Sequence, residues 1–115
     1  MRPKFTYVRS KKLMEAYRAI PCQHCGRDDG TVCGAHSNQA KHGKGRGIKA
    51  SDIYCASLCS RCHSMLDQGY SMTREEREAM WEKAHSETWP KLVIGGLWPA
   101  DIPLTNIWRE CNENL

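Results

Sequence analysis

Apolar positions along the chain come in short bursts, and their spacing changes from burst to burst. In "KKLMEAYRAI", Leu13, Met14 and Tyr17 recur at helical spacing, and Ser10 can accept a free backbone N–H at the start, so a short helix is predicted over residues 10–20. Pro21 ends it and leads into "CQHCGRDDG", whose Gly and Asp residues mark a tight turn. "TVCGAH" opens β-branched and apolar and reads as a strand running into His36. "SNQAKHGKGRGIKASD" has no period and is predicted to be a flexible loop, after which "IYCASL" reads as a second short strand. A helix is predicted to carry "RCHSMLDQ" from Ser60 and to stop near Gly69.

The strongest helical signal follows in "TREEREAMWEKAHSETW". Thr73 with Glu76 forms a capping-box pattern, and the acids of the first turn suit the positive end of the helix dipole. Ala79, Met80, Trp81, Ala84 and Thr88 supply a face that can pack on the body, and Pro90 is expected to end the helix. The tail "LVIGGLWPADIPLTNIW" is apolar but broken by Gly and Pro, and is expected to lie against the body as turns or a short helix. The fold class is therefore α+β in one domain over residues 1–115. Its core is placed at 20–70, its flanking helices at 10–20 and 73–89, and its apolar tail at 90–115.

Composition sharpens this picture. With 115 residues and a single Phe, the core is thin, and domains of this size often depend on a metal or disulfides. Seven cysteines allow either, but an odd count argues against a closed disulfide framework. The start "MRPKFTYVRSKK" has no apolar signal region, and no apolar run approaches the ~20 residues that span a bilayer. The expected setting is reducing cytoplasm, with no membrane partner, where closely spaced cysteines hold metal. Net charge is +4, unevenly spread. No acid falls between Asp29 and Asp52, a stretch that holds Lys41, Lys44, Arg46 and Lys49, while acids gather in "REEREAMWEKAHSE". That distribution implies one face built for a polyanion.

Cys22-x-x-Cys25 and Cys59-x-x-Cys62 are two clips of the spacing that lets neighbouring thiolates share one tetrahedral zinc ion. They point to a structural four-cysteine Zn²⁺ site. A rival set, Cys22, Cys25, Cys33 and His36, uses the second legal clip Cys33-x-x-His36 but strands Cys59 and Cys62. Under the first set, Cys33, Cys55 and Cys111 are ordinary thiols, and His24 is a solvated turn residue.

The succession "C-x-x-C … AHS … LCSRCHSMLD" resembles the HNH, or ββα-metal, endonucleases in their zinc-stapled four-cysteine form, and within them the small phage and prophage nucleases of the YbcO type. The resemblance covers residues 22–69. It implies a strand–loop–strand–helix core, with His36 as the general base that activates water and His63 as a ligand of one catalytic divalent ion, Mg²⁺, Mn²⁺, Ni²⁺ or Zn²⁺. It also implies DNA as the substrate and a role in phage recombination, replication or DNA processing in the bacterial host cytoplasm. The chemistry of phosphodiester hydrolysis agrees, since it needs an activated water on one side and a charge sink for the leaving group on the other. Asp67 lies four residues after His63, on the same helix face, and can reach the same ion.

Two positions depart from the family pattern. Ala35 stands where many members have a metal-binding Asp or His before the base, and Tyr54 stands where the middle Asn is usual. The ligand set is then short by one, which leaves His36 open as a ligand rather than the base and makes His42 an alternative base. Lys41, Lys44, Arg46 and Lys49, set among glycines, can follow a phosphate backbone, and the absence of aromatics there favours backbone contact over base stacking. The competing class is a non-catalytic zinc module that binds nucleic acid or a partner protein.

Overall fold

The computed structural model describes residues 7–68 and 71–104. Among these, the protein is a small α+β fold: a two-stranded antiparallel sheet and three helices, in the order α1 (Lys11–Tyr17), β1 (Cys33–His36), β2 (Cys55–Leu58), α2 (Ser60–Gln68) and α3 (Arg74–Ile94). Cys111, the tail beyond Leu104 and the predicted stop at Gly69 lie outside the described residues.

Ser10 caps α1 as its residue type implies, its hydroxyl accepting from Leu13 N at 3.1 Å. The helix closes earlier than Pro21, because Arg18 N and Ala19 N bond back only three residues, to Glu15 O and Ala16 O, and so tighten the last turn. It buries Leu13, Ala16 and Tyr17 against the sheet.

Strand register pairs Cys33 with Leu58, Gly34 with Ser57, Ala35 with Ala56 and His36 with Cys55. Since side chains alternate, Gly34, His36, Cys55 and Ser57 share one face, and Cys33, Ala35, Ala56 and Leu58 share the other. The first face meets α1. Ser57 Oγ donates to Tyr17 O at 2.7 Å, and a Cβ on Gly34 would come within 2.8 Å of the Tyr17 ring. Only glycine lets helix and strand approach this closely.

Every residue of β2 is buried, which explains why "CASL" shows no polar alternation. Its outer edge is covered by α3, where Thr88 Oγ1 accepts from Ser57 N at 3.1 Å and His85 Nδ1 donates to Cys55 O at 2.9 Å. An exposed strand edge with free N–H and C=O groups would otherwise recruit other chains. Trp81 adds a bond from Nε1 to Ala35 O at 2.9 Å, tying α3 to β1 as well.

The capping box at Thr73 forms in both directions, with Glu76 N to Thr73 Oγ1 at 3.1 Å and Thr73 N to Glu76 Oε1 at 2.8 Å. Met80, Trp81, Ala84 and Thr88 face the core as the spacing predicts, whereas Ala79 is exposed. Pro90 does not end the helix: α3 runs on to Ile94 with Pro90 inside it. Proline within a helix costs about 3 kcal/mol, and burying Trp89 and Leu92 on either side, at roughly 1.5–3 kcal/mol each, offsets that cost. Beyond Gly95 the chain folds back in turns, with Leu97 N on Leu92 O and Ile102 buried.

Candidate functional site

The sulfur atoms of Cys22, Cys25, Cys59 and Cys62 lie within 4.8 Å of one another. Cys25 Sγ and Cys59 Sγ are 3.6 Å apart, near the ~3.8 Å edge of a tetrahedron with 2.3 Å zinc–sulfur bonds. Disulfide-bonded sulfurs would be about 2 Å apart, and all four cysteines are free. The first clip is shaped by a turn in which Gly26, at φ +78°, returns its N–H to Cys22 O. The second clip enters α2 directly, where His63 N bonds Cys59 O at 2.9 Å.

Burial works to raise the Cys22 thiol, but the N–H groups of Cys25, Cys59 and His24 outweigh it and bring it down to about 6. Burial and the neighbouring thiols push Cys62 up. Four thiolates this close repel one another, and a divalent cation lets all four ionise. The cluster could therefore hold a structural metal ion such as zinc. Cys33 and His36, the rival clip, stand outside it. Burial raises the thiols of Cys33 and Cys55, so both stay protonated. His24 is exposed, with Nδ1 3.5 Å from Cys62 Sγ.

On the next turn of α2, His63 Nε2 and Asp67 Oδ2 stand 3.6 Å apart. Two donors each about 2.1 Å from one ion, at 90–110°, would be about 3.0–3.4 Å apart, so a small rotamer change suffices for both to share it. Cys33 Sγ lies 3.6 Å from His63 Nδ1 on the other side of the ring. Among the described residues, the four cysteines are the only group of three or more such donors close enough to bind one ion.

Asp67 also lines an open cleft of about 410 Å³ with Asn38, Gln39, Arg74, Arg77 and Trp81. Arg74 is paired with Glu78 at 3.3 Å, whereas Arg77 has no ion-pair partner among the described residues. The first turn of α3 thus brings two guanidinium groups to a cleft shared with α2 and with the segment just after His36. Sequence reading assigned these arginines to an acidic helix and passed over them.

His36 sits elsewhere. It closes β1 on the α1 face, and its Nε2 is 2.8 Å from Asp52 Oδ1. His63 meets Cys33 at the opposite end of β1 and on the opposite face, roughly 10 Å away along the strand. The two histidines are therefore not immediate neighbours, because odd and even positions of one strand point apart. Asp52 was not singled out in the sequence. Its 16-residue separation from His36 spans an aperiodic loop, which gives no pattern to follow.

That loop is less free than its composition implies. Ala40–His42 form a 3₁₀ turn, Gly45 pairs with Ile48, and Tyr7 Oη donates to Gly43 O at 2.8 Å. Arg9 donates to Lys49 O and Ala50 O at 2.7 and 2.5 Å. Lys41 is engaged by Glu82 at 3.2 Å, whereas Lys44, Arg46 and Lys49 have no acidic partner among the described residues.

His42 is corrected from an open-loop position to a core one. Its exposure is 2%, its ring stacks on Tyr54 with centroids 4.3 Å apart, and Nδ1 is 2.6 Å from Ser37 Oγ. Water has no open approach to a base placed there. Burial lowers its pKa from 6.5 to about 4, and burial lowers that of His85 too. The unfolded chain takes up these protons near pH 6.5, so the stability that neutral rings provide is complete above that pH and declines as pH falls towards 4. At about 1.4 kcal/mol per pKa unit, His42 contributes a loss of roughly 3 kcal/mol over that window. Urea unfolding at pH 7 and pH 5 should show a drop that is smaller in His42→Gln; an equal drop in both proteins would contradict this.

A scan against protein-family models gives no match to this chain, and searches of the curated proteins and of the solved structures give none either.

Proposed function

We propose that this protein is a metal-dependent DNA endonuclease of the HNH type, stapled by zinc on Cys22, Cys25, Cys59 and Cys62. The observation that carries the reading is the arrangement on α2. His63 and Asp67 present donor atoms 3.6 Å apart immediately after the second cysteine clip, and Asp67 opens onto a cleft bearing Arg74 and Arg77. The order β1, β2, α2 is the order a ββα core requires.

In this reading His36 accepts a proton from the attacking water. In-line displacement at phosphorus puts the attacking water and the leaving oxygen on opposite sides, so the base and the ion's ligands need not touch. A divalent ion held by His63 and Asp67 would neutralise charge on the phosphate and on the leaving 3′ oxygen. Arg74 and Arg77 would hold phosphate oxygens in the cleft. Tyr54, in place of the family's Asn, packs on His42, and Ala35 gives its carbonyl to Trp81, so neither supplies a ligand side chain. The setting we assign is the bacterial host cytoplasm, in phage recombination, replication or DNA processing.

The four-cysteine cluster alone also suits a non-catalytic zinc module that binds nucleic acid or a partner protein, in which His63 and Asp67 hold no ion. Titrating the zinc-loaded protein with Mn²⁺ separates the two: the nuclease takes up one further, weaker ion that His63→Ala abolishes. One tight zinc and nothing more would support the module.

The basic loop gives a separate test of the DNA assignment. Lys49 and Arg46 are exposed and without acidic partners among the described residues, so they are free to displace counterions from a phosphate backbone. Changing both to Ala should weaken binding on every DNA sequence and flatten the slope of log affinity against log salt by about 0.9 per lost contact. An unchanged slope in an anisotropy titration would return the loop to solvated surface.

A further inference from the structure

Asp52 is 4% exposed, and both of its carboxylate oxygens are engaged. Oδ1 lies 2.8 Å from His36 Nε2 and 3.3 Å from Arg9 Nη1, while Oδ2 accepts from Ser10 N at 2.8 Å. The backbone is pinned as well: Asp52 N donates to Val8 O at 2.9 Å, and Asp52 O accepts from Tyr17 Oη at 2.7 Å. A buried carboxylate persists where charge and hydrogen bonds compensate its lost hydration, and Arg9 and Ser10 supply both. The group is thereby fixed from the N-terminal segment and α1, independently of His36.

We propose that Asp52 is the positioning residue of His36: it accepts a hydrogen bond from Nε2–H, holds the imidazole in that tautomer, and so leaves Nδ1 as the atom that accepts a proton. This inference rests on the reading of His36 as the general base. A neutral imidazole carries one proton and one lone pair, and the partner of one nitrogen decides which nitrogen can act. A carboxylate can only accept, so it commits Nε2 to the proton. When Nδ1 takes a proton from the attacking water, the ring becomes an imidazolium that the same carboxylate stabilises. Arg9 also bonds the carbonyls of Lys49 and Ala50, so the basic loop and the carboxylate behind His36 share one anchor.

Nitrogen-15 NMR of the zinc-loaded protein reads the tautomer directly. Neutral His36 should appear as the Nε2–H form in wild type. In Asp52→Asn the amide can instead donate to Nε2, and the Nδ1–H form should appear. Plasmid cleavage by Asp52→Asn should fall about 10²–10⁴-fold in kcat, the range for a disabled general base, with KM within about twofold. An Nδ1–H tautomer in wild type overturns the proposal even if the variant fails to fold. His36→Ala that cuts at the wild-type rate removes the base and this inference together. Inactive His36→Ala beside fully active Asp52→Asn removes the positioning role alone.

Discussion

Replacing Cys59 or Cys22 by Ser should leave the protein loosely folded or insoluble, and stripping zinc from the wild type should do the same. The four cysteines connect the turn after α1 to the junction of β2 and α2, two segments that otherwise meet through few bonds, such as Gln23 N to Ser57 O at 2.8 Å. Cys22, Cys59 and Cys62 are buried, so in the absence of a cation the site places thiols and thiolates together in the core. Structural zinc in small domains contributes on the order of 10 kcal/mol, comparable to the ~5–15 kcal/mol of a whole domain's stability. Losing it therefore abolishes folding rather than lowering a melting point by a few degrees. Circular dichroism melts with metal analysis check this; variants that melt like wild type with no zinc bound would contradict the four-cysteine site.

The histidines should behave in the opposite way. His63 is half-buried beside Asp67, and His36 sits at a strand end, so neither fills the centre of the core. His36→Ala and His63→Ala should keep zinc, while strand cleavage falls about 10²–10⁴-fold in His36→Ala, as expected for a lost general base. His63→Ala should lose the weaker divalent ion and cleavage with it. Asp67→Ala should be a milder copy, since His63 remains as a ligand. Cleavage at the wild-type rate by both histidine variants would place the chemistry elsewhere or nowhere in this chain.

Local signals were legible where one residue's chemistry decides the structure. The Thr73–Glu76 box, the Ser10 cap, the two strands and the cysteine clips all belong to this class, because each is a short-range pattern with one geometric solution. Pro90 was misjudged because tertiary burial of Trp89 and Leu92 overrides a local penalty that a sequence window weighs alone. The loop around His42 was misjudged for a related reason. Its order comes from Tyr7, Arg9 and Tyr54, distant residues whose contacts follow no period. Of the candidate site, the α2 pair was readable from i, i+4 spacing. Asp52 and the arginine-bearing cleft were not, since each joins segments that only the folded chain brings together.

Conversion of supercoiled plasmid to nicked circles by the zinc-loaded protein tests the nuclease reading most directly. With Mg²⁺, Mn²⁺ or Ni²⁺ added, nicked product should accumulate with time, and His36→Ala in the same buffer should yield little or none. EDTA matched to the added ion should stop the reaction, and excess of that ion should restore it. Supercoiled plasmid left intact by folded, zinc-loaded wild type under every one of these ions would contradict the account, and would leave the chain as a zinc-held binding module.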